Sequence, residues 1–191
     1  MTQGVSGYFD LPGTAGYGFS GRFFYSEEYD KLSGKRKVSI TGISIQSTIY
    51  GGTWWPGGTV AVEGETLGTM TYEGVTTHMV TVNAGEVWYS VDAIADRGGE
   101  FPWVSSEIES NADGSKSVTF TVDLTLYRNS SSPKPKISGS HTVELTYIPK
   151  GLVYFKEGGE YVPYQCFEKN GDNWDMLLPY IKNGTGWDIC S

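Results

Sequence analysis

The chain has 191 residues, a formal net charge of −8, 19% charged residues, 26 glycines, 13 tyrosines and 6 tryptophans. That length holds one large domain, or one domain with a small appendage. The acidic balance argues against a nucleic-acid partner, which needs clustered Lys and Arg, and no apolar run reaches the roughly 20 residues of a membrane-spanning helix.

Residues 1–18 are rich in Gly, contain Leu11-Pro12-Gly13 and show no periodicity. They read as an extended N-terminal arm that orders on a partner. From Phe19 the chain turns strand-like: Phe19, Gly21, Phe23 and Tyr25 alternate with Ser20, Arg22 and Phe24, with apolar residues on both faces. The basic run Lys35-Arg36-Lys37 reads as a solvated edge opening the next strand. Residues Lys37 to Ile45 alternate β-branched side chains with Ser and Thr, the pattern of a half-buried strand. Gly51-Gly-Thr-Trp-Trp-Pro-Gly-Gly58 reads as a loop. In an extended chain Trp54 and Trp55 point opposite ways, so one core cannot take both. Contact with another chain, an intrachain lid and a ligand-stacking platform all remain open for it.

Further strands are expected at 58–63, 67–73, 77–82, 86–95 and 102–109. Asn111-Ala-Asp-Gly114 is a turn signal, and Asp113-Gly114 predicts a tight hairpin because both residue types tolerate positive φ. The run Ser117 to Leu126 then puts Val118, Phe120, Val122, Leu124 and Leu126 on one face. A polar loop, Arg128 to Lys136, leads to a last strand, Ser140 to Ile148, and Pro149-Lys150-Gly151 ends it. No segment carries a capped 3.6-residue period. The expected fold is all-β: an antiparallel sandwich with Greek-key links over 19–149.

Residues 150–191 hold three copies of a thirteen-residue unit. Tyr154, Phe167 and Tyr180 align, as do Lys156, Lys169 and Lys182, the glycines Gly158, Gly171 and Gly184, and then Tyr161, Trp174 and Trp187. Each unit predicts a short β-hairpin. One hairpin cannot bury its aromatics alone, so the three are expected to stack as an array or on the sandwich. The aromatic rows have two readings. They are the core of the array, or some rings stay exposed and stack on sugars, with Tyr154, Tyr161, Trp174, Tyr180 and Trp187 as the candidates.

Nothing in the sequence assembles a catalytic set. The two histidines, His78 and His141, lie in no ligand-spaced cluster, and His141 falls within a strand. No nucleophile elbow, phosphate loop or paired-cysteine zinc spacing is present. Asn111-Ala-Asp-Gly and Asn170-Gly-Asp-Asn-Trp-Asp175 lack the spaced carboxylates of a calcium loop. Acid pairs such as Glu27-Glu28 or Glu107/Glu109 have the residue types of glycosidase work, but Glu107 and Glu109 share one strand face and no other carboxylate can be placed opposite them. No enzyme, cofactor or metal is expected. Met1-Thr-Gln-Gly lacks a signal-peptide core, which predicts a protein made and kept in the cytoplasm or released by lysis. Cys166 and Cys190 then read as free thiols, or as a disulfide joining the second and third hairpins.

The stretches Asn111 to Phe120 and Ser138-Gly-Ser-His-Thr-Val-Glu-Leu-Thr-Tyr-Ile-Pro149 resemble the Ig-like module of tail structural proteins from phages and prophages of Gram-positive bacteria. In that family an Asn-Ala-Asp-Gly turn precedes a strand and the final strand ends in Ile-Pro-Arg; Lys150 stands in place of the arginine, and Ser110 where the family often has histidine. The hairpin tail is similar to C-terminal Tyr-x-x-Asn-Gly-x-x-Trp-Asp repeats of such proteins, and the likeness covers about residues 80–191. The resemblance implies an Ig-like sandwich with a C-terminal array of three hairpins, in a virion component assembled with copies of itself or other virion proteins. Its expected assembly contacts are Tyr8, Phe9 and Leu11 of the arm with Trp54 and Trp55. The alternative is a carbohydrate-binding module that recognises host cell-wall glycan.

Overall fold

Three long strands open the computed structural model of the chain. β1 (Thr2–Pro12), β2 (Phe19–Asp30) and β3 (Lys35–Ser47) run antiparallel as a meander. The structure describes residues 2–30, 34–72, 75–95, 97, 99–111, 113–128, 134–148, 152–170, 173–177, 180–183 and 186–189. Side chains are described from Val5 to Ile148 within those ranges, and beyond them at 156–160, 164, 166 and 167.

β1 replaces the expected arm. It pairs with β2 along its whole length, from Thr2 opposite Asp30 to Pro12 opposite Ser20. Phe9 and Leu11 face inward and are buried, while Tyr8 and Asp10 face out. The glycines that hid this period serve it: a Cβ on Gly7 would lie 2.7 Å from the Tyr25 hydroxyl, so the missing side chain lets Tyr25 lie across the strand. In β3 the alternation is not unbroken. Val38 and Ile40 are buried at even positions, and Ile43 and Ile45 at odd ones. A bulge makes the switch, because Phe24 pairs with Gly42 and Tyr25 with Ile40, leaving Thr41 unpaired.

The chain continues through β4 (Gly52–Val62), β5 (Glu65–Met70), β6 (His78–Val82), β7 (Gly85–Ser90), β8 (Asp92–Ala93), β9 (Trp103–Val104), β10 (Ile108–Glu109), β11 (Ser117–Tyr127) and β12 (Lys136–Glu144). The short strands β7, β9 and β10 all pair with β3 and complete the first sheet. The second runs β12-β11-β4-β6-β8, with β5 also on β4. The two antiparallel sheets make a sandwich, and no helix occurs among the described residues. Phe23, Ile40, Ile43 and Ile45 of the first sheet face Val60, Phe120, Val122, Leu124 and Leu126 of the second, all at 2% exposure or less. An isolated bridge, Gly13 to Ile137, and the Thr14 N–H donating to the Lys136 carbonyl at 2.7 Å tie β1 to β12 at one corner.

Two further expectations are corrected. The Trp54-Trp55 stretch is not a loop but the start of β4, so the strand's alternation sends one indole to each side. Asp113-Gly114 does not close a hairpin: β10 belongs to the first sheet and β11 to the second, so this turn carries the chain between layers. Gly114 does have positive φ, 87°.

Arg36 overturns the reading of Lys35-Arg36-Lys37 as a solvated edge. Lys35 and Lys37 are exposed, Lys35 pairing with Glu107 at 2.8 Å, but the strand's two-residue period drives Arg36 inward to 1% exposure. There its Nη1 meets the Glu27 carboxylate at 2.7 Å and donates to the Thr146 carbonyl at 2.9 Å, while Nη2 donates to the Ser110 hydroxyl. The second Glu27 oxygen accepts from the Thr146 N–H at 2.9 Å. Burial lowers the Arg36 pKa against the opposing attraction of Glu27. This pair fastens β2 and β3 to the segment that follows β12.

The C-terminal strands are β13 (Leu152–Glu157), β14 (Glu160–Asn170), β15 (Asn173–Leu177), β16 (Tyr180–Asn183) and β17 (Gly186–Ile189). β13, β14 and β15 form one sheet, and β16 with β17 another. The backbone register repeats with the thirteen-residue period. Lys156 pairs with Tyr161, Lys169 with Trp174 and Lys182 with Trp187; Tyr154 pairs with Pro163, Phe167 with Met176 and Tyr180 with Ile189.

Candidate interaction surface

The β1–β2 register sets Tyr8 beside Phe24 and Asp10 beside Arg22 on the outer face of the first sheet. That face would ordinarily be polar. Instead Tyr8 is 57% exposed and Phe24 37%, their ring centroids 6.1 Å apart. The Arg22 guanidinium lies 4.2 Å from the Tyr8 ring centre and 4.4 Å from that of Trp88, a cation held between two aromatic faces. Asp10 grips it in a two-pronged pair, Nε and Nη2 donating at 2.8 Å each. Hydrogen bonding to Asp10 raises the Arg22 pKa further, so the cation persists at any working pH. Beside Tyr8 and Phe24 an open groove of about 520 Å³ runs past Ser6, Thr41 and Gly42. The result is an exposed aromatic surface whose one cation is neutralised within it by Asp10.

A second aromatic group sits on the outer face of the other sheet. Tyr72 and Tyr127 stack at 4.2 Å and 8°, Trp55 leans on Tyr72 at 6.3 Å, and Lys134 covers Tyr127 at 5.1 Å. Farther along β11 the same face carries two hydroxyl pairs to β12: Thr119 bonds Thr142 at 2.9 Å, and Thr121 bonds Ser140 at 3.3 Å.

The expected assembly residues therefore divide. Tyr8 is exposed and Trp55 half-exposed, on opposite sheets. Phe9, Leu11 and Trp54 are core residues, at 3%, 7% and 3% exposure, because their strands turn them inward. Phe9 packs between Phe23, Phe120 and His141; Trp54 meets Phe19 edge-on at 4.9 Å. Of the proposed glycan-stacking residues, Tyr154, Tyr161, Trp174, Tyr180 and Trp187, the side chains lie outside the described residues. Their neighbours Tyr164 and Phe167 are 42% and 51% exposed. Cys166 is a free, half-buried thiol, and Cys190 lies outside the described residues. Sequence reasoning missed Arg22 and Trp88. Only the β-pairing register, which sequence does not print, brings them to Tyr8.

His78 is fully buried against Phe101 and Trp103. Its Nε2–H donates to the Gly99 carbonyl at 2.8 Å, which leaves Nδ1 to accept from the Thr77 hydroxyl at 2.8 Å. Burial lowers its pKa, partly offset by the Gly99 carbonyl. A neutral imidazole with both nitrogens occupied is a packing element. Among the described residues no group of three or more His, Cys, Asp or Glu could hold a metal ion, and no helix is long and apolar enough to cross a membrane.

Fold and surface together define a β-sandwich with an exposed aromatic face on the first sheet and a half-buried aromatic cluster on the second. Compared with known proteins, the chain matches no family model, no curated protein and no solved structure.

Proposed function

We propose that the chain is a non-enzymatic structural protein of a bacteriophage or prophage tail, working by contact with copies of itself or with other virion proteins. The carrying observation is the Tyr8–Phe24–Arg22–Trp88 surface. Exposed aromatics with an embedded arginine are the composition of a protein-binding hot spot, and they sit on a sheet whose inner face is already filled. The Ig-like motif resemblance points the same way. In this reading the protein is made in the host cytoplasm and leaves as part of the particle, with neither nucleic acid nor membrane as partner.

Immunogold electron microscopy of particles released from the source bacterium tests it. Label on tails is expected; unlabelled particles, with the protein free in the lysate, overturn the reading. A second reading is favoured by the exposed Tyr164 and Phe167: a carbohydrate-binding module on host cell-wall glycan. Co-sedimentation of the purified protein with cell walls, abolished by soluble glycan, would place the weight there.

A further inference from the structure

β1 is an edge strand, and the hydrogen bonds say which of its groups are free. The Gly13 N–H donates to the Phe19 carbonyl at 2.8 Å. In an antiparallel pair bonded and non-bonded positions alternate, so odd-numbered residues of β1 bond to β2. Even-numbered ones, Gly4, Ser6, Tyr8 and Asp10, turn their N–H and C=O groups outward. Pro12, also even, has no N–H to offer there, the usual place for a strand proline. Among the described residues nothing pairs with this edge before the bridge at Gly13.

Both faces of the strand beside that edge are unfinished. Tyr8 on the outer face is 57% exposed, and Val5, on the inward-facing side, is 47% exposed. A strand laid along β1 would cover both at once. Edges are normally protected by Lys, Glu or a bulge. From Thr2 to Pro12 the sole charge is Asp10, and Arg22 of the same chain already neutralises it at 2.8 Å. Two such edges can meet without like-charge repulsion despite the net charge of −8.

We propose that two copies of the chain join β1 to β1 about a two-fold axis, making one continuous sheet across the dimer. The sequence is self-complementary about Ser6. Antiparallel pairing centred there sets Val5 of each copy opposite Gly7 of the other, and Tyr8 opposite Gly4, so the two exposed apolar residues of the edge each meet a position with no side chain, while Phe9 falls opposite Gln3 and Asp10 opposite Thr2. The pairing uses the even-numbered N–H and C=O groups and disturbs no bond to β2. The contact is isologous and closes on itself, and it brings the two Tyr8–Phe24 surfaces to one side of the joined sheet. It rests on the assembly reading for its purpose, while its geometry stands alone.

Sedimentation equilibrium of the purified chain over a concentration series is the test, with Ser6→Pro and Tyr8→Lys as variants. Proline at position 6 removes an N–H that faces the edge and leaves the β2 ladder whole. The wild-type protein is expected to sediment as a dimer. Either variant should weaken dimerisation by about tenfold or more, with an unchanged far-UV circular dichroism spectrum. If Ser6→Pro fails to fold, Tyr8→Lys decides. A wild-type chain that stays monomeric overturns the inference, and so do variants that dimerise as well as wild type. Neither result bears on whether tails carry the immunogold label, so the two proposals fail separately.

Discussion

Tyr8 and Phe9 are neighbours in sequence on opposite faces of one strand, and replacing each with alanine measures whether β1 belongs to the core. Phe9 is 3% exposed, stacked on Phe23 at 5.2 Å and 17°, tilted against Phe120 at 5.2 Å and covered by His141 at 4.9 Å. Removing a ring so enclosed costs about 3–5 kcal/mol, transfer and cavity together. For a domain of this size each kcal/mol moves Tm by about 2–4 °C, so Phe9→Ala should lower it by roughly 6–20 °C. Tyr8 loses only partial contacts with Arg22 and Phe24, and Tyr8→Ala should cost about 1 kcal/mol or less. Urea unfolding of dilute protein, followed by tryptophan fluorescence, separates the two variants. A Phe9→Ala loss below about 1 kcal/mol, or equal losses for both, would refute the placement of β1 on the sandwich.

The buried pair gives a second expectation: Glu27→Gln or Arg36→Met alone should destabilise by about 3–5 kcal/mol, since each strands the other's partners. The double variant should lose clearly less than the sum, and additive losses in chemical denaturation would deny the coupling. For His78, the folded-state pKa lies below the unfolded value of about 6.5. Its contribution is therefore complete above that pH and is lost as pH falls below it, where the unfolded chain takes up a proton that the folded one refuses. Unfolding midpoints between about pH 7.5 and 5.5 should decline more steeply for wild type than for His78→Gln, and parallel slopes would contradict this. Gly114 holds φ at 87°, its N–H bonded to the Asn111 carbonyl at 2.9 Å and its own carbonyl to the Ile148 N–H at 3.0 Å. Gly114→Val should cost about 1–3 kcal/mol; an unshifted midpoint would show that the turn tolerates a branched side chain.

Strands were legible where a single buried face imposes a strict two-residue period, as in β11, whose Val118 to Leu126 face is wholly buried. β1 was not, because its inward face mixes Val5 and Gly7 with Phe9 and Leu11, and the glycine is small for a reason that lies on β2. The parity switch between Ile40 and Ile43 was missed, since Lys37 to Ile45 read as one alternating strand and the bulge at Thr41 shows only in the register with β2. Arg36 shows the same limit: three basic residues in a row look alike until a strand alternates them, and the acid that receives the middle one is nine positions away on another strand. The paired tryptophans read as a loop because flanking glycines mimic turn chemistry, although the expectation that they point apart holds. The aromatic surface was half legible: Tyr8 stood out, while its companions came from β2 and β7.

The anchoring of Arg36 also sets an order of events during synthesis. The meander of β1, β2 and β3 is local and can pair as soon as it leaves the ribosome, but the Thr146 carbonyl and amide that complete the Arg36–Glu27 pair are 110 and 119 residues away in sequence. Until they arrive, the growing chain holds a half-built sheet with a charged pair facing water and the inner sides of Phe9, Phe23 and Ile45 uncovered. Contacts of such separation slow closure and lengthen the exposure of open edges. The β1 edge is therefore offered to neighbouring nascent chains well before the second sheet exists, and polysomes translating this message bring equivalent edges close together while each chain is still incomplete.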